Sequence, residues 1–403
     1  MDSHYLKCYD CGWEHEEDKY YTTCPDCNGF VEVILKTKLE DRKLRVDLPS
    51  IFKYQDYMPY TYEPGYERFE TIKETPEFVD KQLSEILGVE LIVKDETVLP
   101  TGTWKDKEGF ISVYRLLKNK IKDLFVFSSG NTGTAIARSA SIIKDSKIHL
   151  VIPSSSQSRL DNLSRFYDED YVKVDFFDGS NDECIVEAGN RAKENNILAE
   201  GGFANYARRE GIKLFALEHY LSDHCAPKEI DWYAQPIAGG IGIYSFYKAC
   251  EEMGIKSPRM LGVQAEICAP MVNAWNDGAV EMEEKYVPQE VIPSPYVRVL
   301  RTRNPGNAYR ILKNIMDKCQ GTFNAVNDQE ILDALNLFYQ SNYFKKKYHD
   351  EGVLVGLEAS TVLAGIKKAI DNGTIKKGSK VLLCVSGAAK KGDVNIKWIK
   401  ELN

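Results

Sequence analysis

From Glu90 onward, short apolar runs alternate with longer stretches of helical period. The runs at 91–93, 124–127, 149–152, 232–234, 260–263 and 381–385 are brief and, His149 apart, continuously apolar, the pattern of strands covered on both faces. Between them, apolar positions recur every three to four residues at 109–118, 132–143, 182–195, 207–221, 244–253, 328–339 and 360–370, which predicts helices. Such alternation predicts an α/β protein built on mainly parallel sheets. Upstream, 54–66 is rich in tyrosine, and Pro59, Pro64 and Gly65 interrupt both periods. We read an ordered arm over the next domain; its tyrosines either pack as amphipathic rings or line a ligand entrance. No internal repeat of 20–50 residues is visible.

The chain has 403 residues, enough for two or three structural units. No run approaches the ~20 apolar residues of a membrane span. The first residues, Met1 to Cys8, lack the basic-then-apolar order of a secretion signal, so a cytoplasmic location and no membrane partner are expected. With 52 basic and 60 acidic side chains the net charge is −8, which argues against nucleic acid as the main partner. Small anions can still bind in local pockets.

Of ten cysteines, Cys184, Cys225, Cys250, Cys268, Cys319 and Cys384 stand singly and are expected to be reduced, buried thiols. The others form two C-x-x-C knuckles, Cys8/Cys11 and Cys24/Cys27, each followed by a residue suited to a tight turn, Gly12 and Asn28. This is the spacing of a four-thiolate zinc site. Four protein ligands leave no open position, so the metal would be structural, holding a ribbon at 1–36 too small to bury its own core. A redox pair or an accidental pairing are the alternatives.

Three turns follow or precede predicted elements where open α/β sheets hold ligands. Ser128-Ser129-Gly130-Asn131-Thr132-Gly133-Thr134 enters a helix with backbone N–H groups and hydroxyls that suit a carboxylate. Ala238-Gly239-Gly240-Ile241-Gly242 opens another and suits a phosphate. Either stretch, by itself, could equally be an ordinary strand-to-helix turn. Pro100-Thr101-Gly102-Thr103-Trp104-Lys105-Asp106-Lys107-Glu108-Gly109 places a lysine at a predicted helix start, where the macrodipole disfavours positive charge. Imine formation would explain an easily neutralised Lys105; a solvated lysine in a charged first turn is the bland alternative.

The stretch Pro100 to Asp106 resembles the P-T-G-S-F-K-D motif of pyridoxal-phosphate enzymes of the tryptophan-synthase-β fold type (fold type II), in the threonine-synthase branch. The likeness extends over the zinc ribbon, Glu74-Thr75-Pro76, Lys94-Asp95-Glu96, the Ser-Ser-Gly-Asn-Thr-Gly turn, and Asn205 with Arg208, Glu210, Gly211 and Lys213. It continues through 238–242, Gly356-Leu357-Glu358-Ala359-Ser360 and 385–390. The resemblance implies that Lys105 carries pyridoxal 5'-phosphate and acts as base and acid, and that Asn131 bonds the ring hydroxyl. It implies further that Ala238, Gly239, Gly240, Ile241 and Gly242 hold the phosphate and that Ser386 faces the pyridine nitrogen. Thr103, Ser128, Ser129 and Thr132 would bind substrate, and Asn205 and Arg208 would lie near its distal anion. For those two, a helix N-cap and a surface salt bridge are the alternatives.

Departures bear on the substrate. Lys107 stands where the family usually has Arg, Ala238-Gly239-Gly240-Ile241-Gly242 replaces a phosphate loop that commonly reads G-N-x-G or G-S-G-G, and Ser386-Gly387-Ala388-Ala389 replaces a T-G-x-G. The resemblance implies a lyase or synthase of threonine-synthase type, converting O-phosphohomoserine and water to threonine and phosphate, in two lobes with the cofactor between them. The expected division is a ribbon at 1–36, a large lobe of 37–118 and 200–403, and a small lobe of 119–199, with a homodimer as the family's habit. β-Replacement on O-phosphoserine or another activated serine, as in cysteate-synthase-like and cysteine-synthase-like enzymes, is the rival. A zinc-ribbon binding protein without catalysis is the reading from another class.

Overall fold

The strand–helix alternation is realised in the computed structural model, which describes residues 3–402 apart from 18, 64, 129, 161–164, 166, 180, 224–225, 291–295, 297–299 and 391. Two compact units emerge: Met1–Glu74 with Leu99–Leu217 and Glu252–Gly254, and Thr75–Val98 with Glu218–Glu251 and Ile255–Asn403.

The second unit is built on a six-stranded sheet in the order Thr322–Val326, Arg259–Ala265, Trp232–Pro236, Lys380–Val385, Glu90–Asp95, Glu77–Val79. All neighbours are parallel except the last pair. Ala234 lies opposite both Leu261 and Leu383, and Leu383 opposite Val93. These residues join one buried cluster with Val362, Leu363 and Ile366 of the helix Leu357–Asp371, which explains why the central runs carry no polar alternation. From Trp232–Pro236 the chain builds outward on one side and later returns to place Lys380–Val385 on the other. Between these two strands the order reverses, the place where open sheets hold ligands.

The first unit contains the ribbon, an antiparallel sheet of His4–Cys8, Glu14–His15 and Val31–Leu35. It also contains a four-stranded parallel sheet in the order Val172–Phe177, Lys147–Pro153, Asp123–Phe127, Leu198–Ala199. Its reversal lies between Asp123–Phe127 and Leu198–Ala199, so the segments starting at Ser128 and Glu200 leave from the two sides of that point. The arm packs by its rings: Phe52, Tyr60, Tyr66 and Phe69 contact Phe110 or Tyr114. Packing is therefore the use that Tyr60 and Tyr66 make of their amphipathic rings.

The helix Lys105–Lys118 begins four residues before its apolar period does, because its charged first turn is buried: Asp106, Lys107 and Glu108 are all 0% exposed. Two glycines allow its neighbours to touch it. A Cβ at Gly109 would lie 2.5 Å from the Ala135 carbonyl of the helix Asn131–Ile143, and one at Gly211 would lie 2.6 Å from the Lys107 oxygen. Backbone cannot retreat from such an approach, so Gly109→Ala is expected to destabilise the protein by roughly 1–3 kcal/mol, read as a lowered urea midpoint with an unchanged slope. Among the described residues no helix is long and apolar enough to cross a membrane. Cys184, Cys250, Cys268, Cys319 and Cys384 are buried free thiols; Cys225 lies outside the described residues.

Candidate active site

The lysine turn shows why its residues occur in this order. Gly102 adopts φ +75° and donates its N–H to Leu99 O at 2.7 Å, closing the turn. Asp106 accepts from the Thr101 N–H at 2.7 Å and from the Thr101 hydroxyl at 3.0 Å. The buried Thr103 hydroxyl accepts the Lys105 N–H at 3.3 Å. These bonds fix Lys105 as the first residue of its helix. Its Nζ lies 2.6 Å from Glu108 Oε2, one turn along the same face, and 5.7 Å from the centre of the Trp104 ring. The Lys105 side chain keeps 19% exposure, whereas Glu108 has none. The amine is thus reachable, not the fully solvated lysine of the bland alternative.

Glu108 also receives the Arg208 guanidinium, which donates from Nη1 to Glu200 at 3.2 Å and from Nη2 to the Thr132 hydroxyl at 3.2 Å. Thr132, Glu200 and Arg208 come from both sides of the sheet reversal, so the topology converges them on the lysine helix. Burial pushes the Lys105 ammonium below its ordinary range and Arg208 adds to this, while Glu108 opposes both. Burial alone would raise the Glu108 carboxyl, but Arg208 first and then Lys105 hold it below the ordinary range. The Arg208 salt bridges are buried rather than superficial, with 12% of its side chain exposed.

Asn205 is fully buried and does cap a helix: its Oδ1 accepts the Ala207 N–H at 2.9 Å and the Tyr20 hydroxyl at 2.6 Å, while Nδ2 donates to Glu200 at 3.2 Å. The Ser128 hydroxyl oxygen accepts the N–H groups of Gly130 and Gly133, at 3.1 and 2.8 Å. Ser129 lies outside the described residues. The Asn131 side-chain oxygen is buried with no hydrogen-bond partner among the described residues, the condition of a group awaiting a ligand. Glu108, Glu200 and Tyr20 escaped the sequence reading. Only Glu108 carried a local signal, an acid three residues after a lysine on a helix.

In the second unit, 238–242 follows the strand Trp232–Pro236 and opens the helix Ile241–Glu252. A Cβ at Gly242 would strike the Gln235 amide at 2.2 Å, and Gly239 has open space where its Cβ would be. Gly240 holds φ +88°, and a Cβ there would meet Leu312 at 2.1 Å. Bare N–H groups at a helix N-terminus make an anion cradle, and the Gly239 opening fits a phosphate. Ser386 is buried and leaves the adjacent strand Lys380–Val385 on the other side of the sheet reversal. The loop after it is held by the Gly356 N–H donating to Gly387 O at 3.0 Å, which gives the 356–360 motif its place. Lys94-Asp95-Glu96 is structural: Lys94 pairs with Glu218 at 2.9 Å, and Glu96 accepts the Thr75 hydroxyl at 2.7 Å.

The ribbon gathers Cys8, Cys11, Cys24 and Cys27 with their sulfurs within 4.8 Å of one another, and 3.5 Å separates Cys8 from Cys27. Gly12 at φ +76° and Asn28 at φ +59° make the knuckle turns. A tetrahedral zinc places its sulfurs about 3.8 Å apart, so the donor set fits. Between the knuckles, Glu17 accepts from Arg115 Nε at 2.9 Å, Asn119 at 2.6 Å and the Tyr206 hydroxyl, and it meets His4 Nε2 at 2.6 Å. It thereby ties the ribbon to the helices that carry Lys105 and Arg208.

Residues 69–387 match the model of the pyridoxal-phosphate dependent enzymes. The chain belongs to that family. Within this pyridoxal-phosphate enzyme family it is 28% identical over 398 residues to a threonine synthase of Methanosarcina acetivorans, covering 95% of this chain and 91% of that protein. It is 29% identical over 407 residues to a cysteate synthase of Methanospirillum hungatei, covering 96% and 90%. Among solved structures, threonine deaminase isoform 2 of Solanum lycopersicum superposes with a TM-score of 0.63 at 15% identity over 82% of this chain and 87% of that one. Maize serine racemase does so with 0.62 at 19% identity, over 83% and 92%. The chain is therefore a pyridoxal-phosphate-dependent enzyme with the fold type II architecture.

Proposed function

We propose that this enzyme acts as a threonine synthase, releasing phosphate from O-phosphohomoserine and adding water to give threonine. The observation that carries the reading is a solvent-reachable Lys105 amine, destabilised as an ammonium by burial and by Arg208, inside the P-T-G-T-W-K-D turn. When bound, pyridoxal phosphate supplies an aldehyde for that amine and a conjugated ring that takes up the electron pair left at the substrate's α-carbon. Lys105 binds it covalently. Asn131, with its buried partnerless oxygen, orients the ring through its hydroxyl, and the N–H groups of 238–242 hold the phosphate.

Ser386 offers the ring nitrogen a neutral hydroxyl, which cannot strongly favour a protonated ring, so elimination and replacement are favoured over transamination. Ser128, Ser129 and Thr132 grip the substrate carboxylate, with Thr103 beside them. Arg208 binds the distal anion, and Asn205, buried as the cap of the Arg208 helix, supports it through Glu200. Lys105 would also take and return protons at its Nζ. The segment 119–199, which carries its own four-stranded sheet, is the small lobe in this reading. Zinc in the ribbon is structural: native mass spectrometry is expected to find one zinc per chain, lost in Cys24→Ser.

β-Replacement on O-phosphoserine is the second reading, favoured by the near-equal likeness to cysteate synthase. Phosphate release is measured from O-phosphohomoserine and from O-phosphoserine, each with and without sulfite or sulfide. Threonine formed from the first without added nucleophile supports the first reading; release from the second that depends on sulfite or sulfide overturns it. Because Gly240 holds a positive φ and a Cβ there would strike Leu312, Gly240→Ala is expected to weaken pyridoxal phosphate binding at least about tenfold, the loss of one good hydrogen bond to a charged group, as measured by fluorescence titration of cofactor-free protein.

A further inference from the structure

Cofactor binding gives Glu108 no task, yet its carboxylate is the charged group of the lysine turn that meets the Lys105 amine. Its carboxylate has no exposure, and one oxygen lies 2.6 Å from Lys105 Nζ while the other receives Arg208. A carboxylate so completely desolvated persists only where cations meet it. The charged groups around the amine are Glu108 from its own helix, Arg208 from the helix Tyr206–Leu221 and Glu200 from the loop before that helix. Of these, Glu108 alone is an anion in direct contact with Nζ, and Arg208 is a competing cation.

We propose that Glu108 is a further catalytic residue, whose carboxylate stabilises the ammonium that forms when the free Lys105 amine takes a proton and so strengthens that amine as a base. The inference rests on the proposed capture of pyridoxal phosphate by Lys105. A proton leaving the substrate's α-carbon goes to Nζ, and the positive charge created there is met by Glu108. The proton later passes from Nζ to substrate carbon or to the leaving group; Glu108 stays ionised and forms no bond. Without it, burial and Arg208 act unopposed and the amine becomes a weaker base.

Capture of an aldehyde reads this balance directly. The ammonium must first lose its proton; the neutral amine then forms a carbon–nitrogen double bond with the aldehyde and expels one water. Cofactor-free enzyme is mixed with pyridoxal phosphate across pH, trapped briefly with borohydride, and the Lys105 adduct is quantified by mass spectrometry. In Glu108→Gln the midpoint of capture is expected to move to lower pH by roughly one to three units. Glu108→Asp, whose shorter side chain draws the carboxylate back, is expected to move less in the same direction, and Arg208→Gln in the opposite one. An unmoved or raised midpoint in Glu108→Gln overturns the proposal; if that variant does not fold, an unmoved midpoint in Glu108→Asp does so. An Arg208→Gln midpoint that falls also overturns it. Failure of the unsubstituted enzyme to form any adduct would instead count against the capture itself, so the two failures are distinguishable.

Discussion

Lys105→Ala is expected to eliminate both the borohydride-stable adduct and turnover, with loss of the proton shuttle alone accounting for roughly 10²–10⁴-fold. Alanine also removes one of the two cations that Glu108 faces, so a folding defect could mimic the result. Lys105→Arg separates the two. Arginine keeps a positive charge beside Glu108, and since it does not lose its proton in proteins it cannot capture an aldehyde. The arginine variant should therefore fold with a near-normal urea midpoint while showing no adduct and no visible absorbance from bound cofactor. Retained colour and turnover in either variant would remove the lysine from the centre of the chemistry.

What could be read ahead of the structure was the part whose cause is local. The six central strands all appear where continuous apolar runs lie, because a parallel strand covered on both faces must be apolar throughout. The edge strand Val172–Phe177 escaped notice since only its first residue is buried, leaving no long run to find. The helix Asn342–Glu351 buries just Phe344 and Lys347, too little for a visible stripe. Asn307–Cys319 is different: Tyr309, Leu312, Ile315, Met316 and Cys319 mark a clear helical face, so the signal was there to be used. Site residues divide in the same way. Lys105, the glycine turn at 238–242 and the knuckle cysteines sit in short motifs, whereas Glu200 and Tyr20 enter through contacts across 8 and 185 residues. No local rule announces a partner at that distance.

Glu17→Gln is expected to cost roughly 3 kcal/mol at pH 7, and the cost should fade with acid. Burial works to raise this carboxyl, but the hydrogen bond from His4 and the charge of Arg115 prevail and bring it from 4.5 to about 2. Each unit of such a shift corresponds to about 1.4 kcal/mol. The folded group is the stronger acid, so its contribution is complete above about pH 4.5 and disappears as the pH falls toward 2. Urea midpoints of the unsubstituted enzyme and Glu17→Gln should thus differ widely at pH 7 and by under about half as much at pH 3. Glutamine keeps the shape but leaves Arg115, 5% exposed, without its counter-charge, which is what makes breaking a buried pair costly. Because Arg115 lies on the helix of Lys105 and Tyr206 on that of Arg208, the same substitution should slow adduct formation at Lys105 although no knuckle cysteine has changed. An equal stability gap at both pH values would mean that shape, and not charge, anchors the ribbon to these helices.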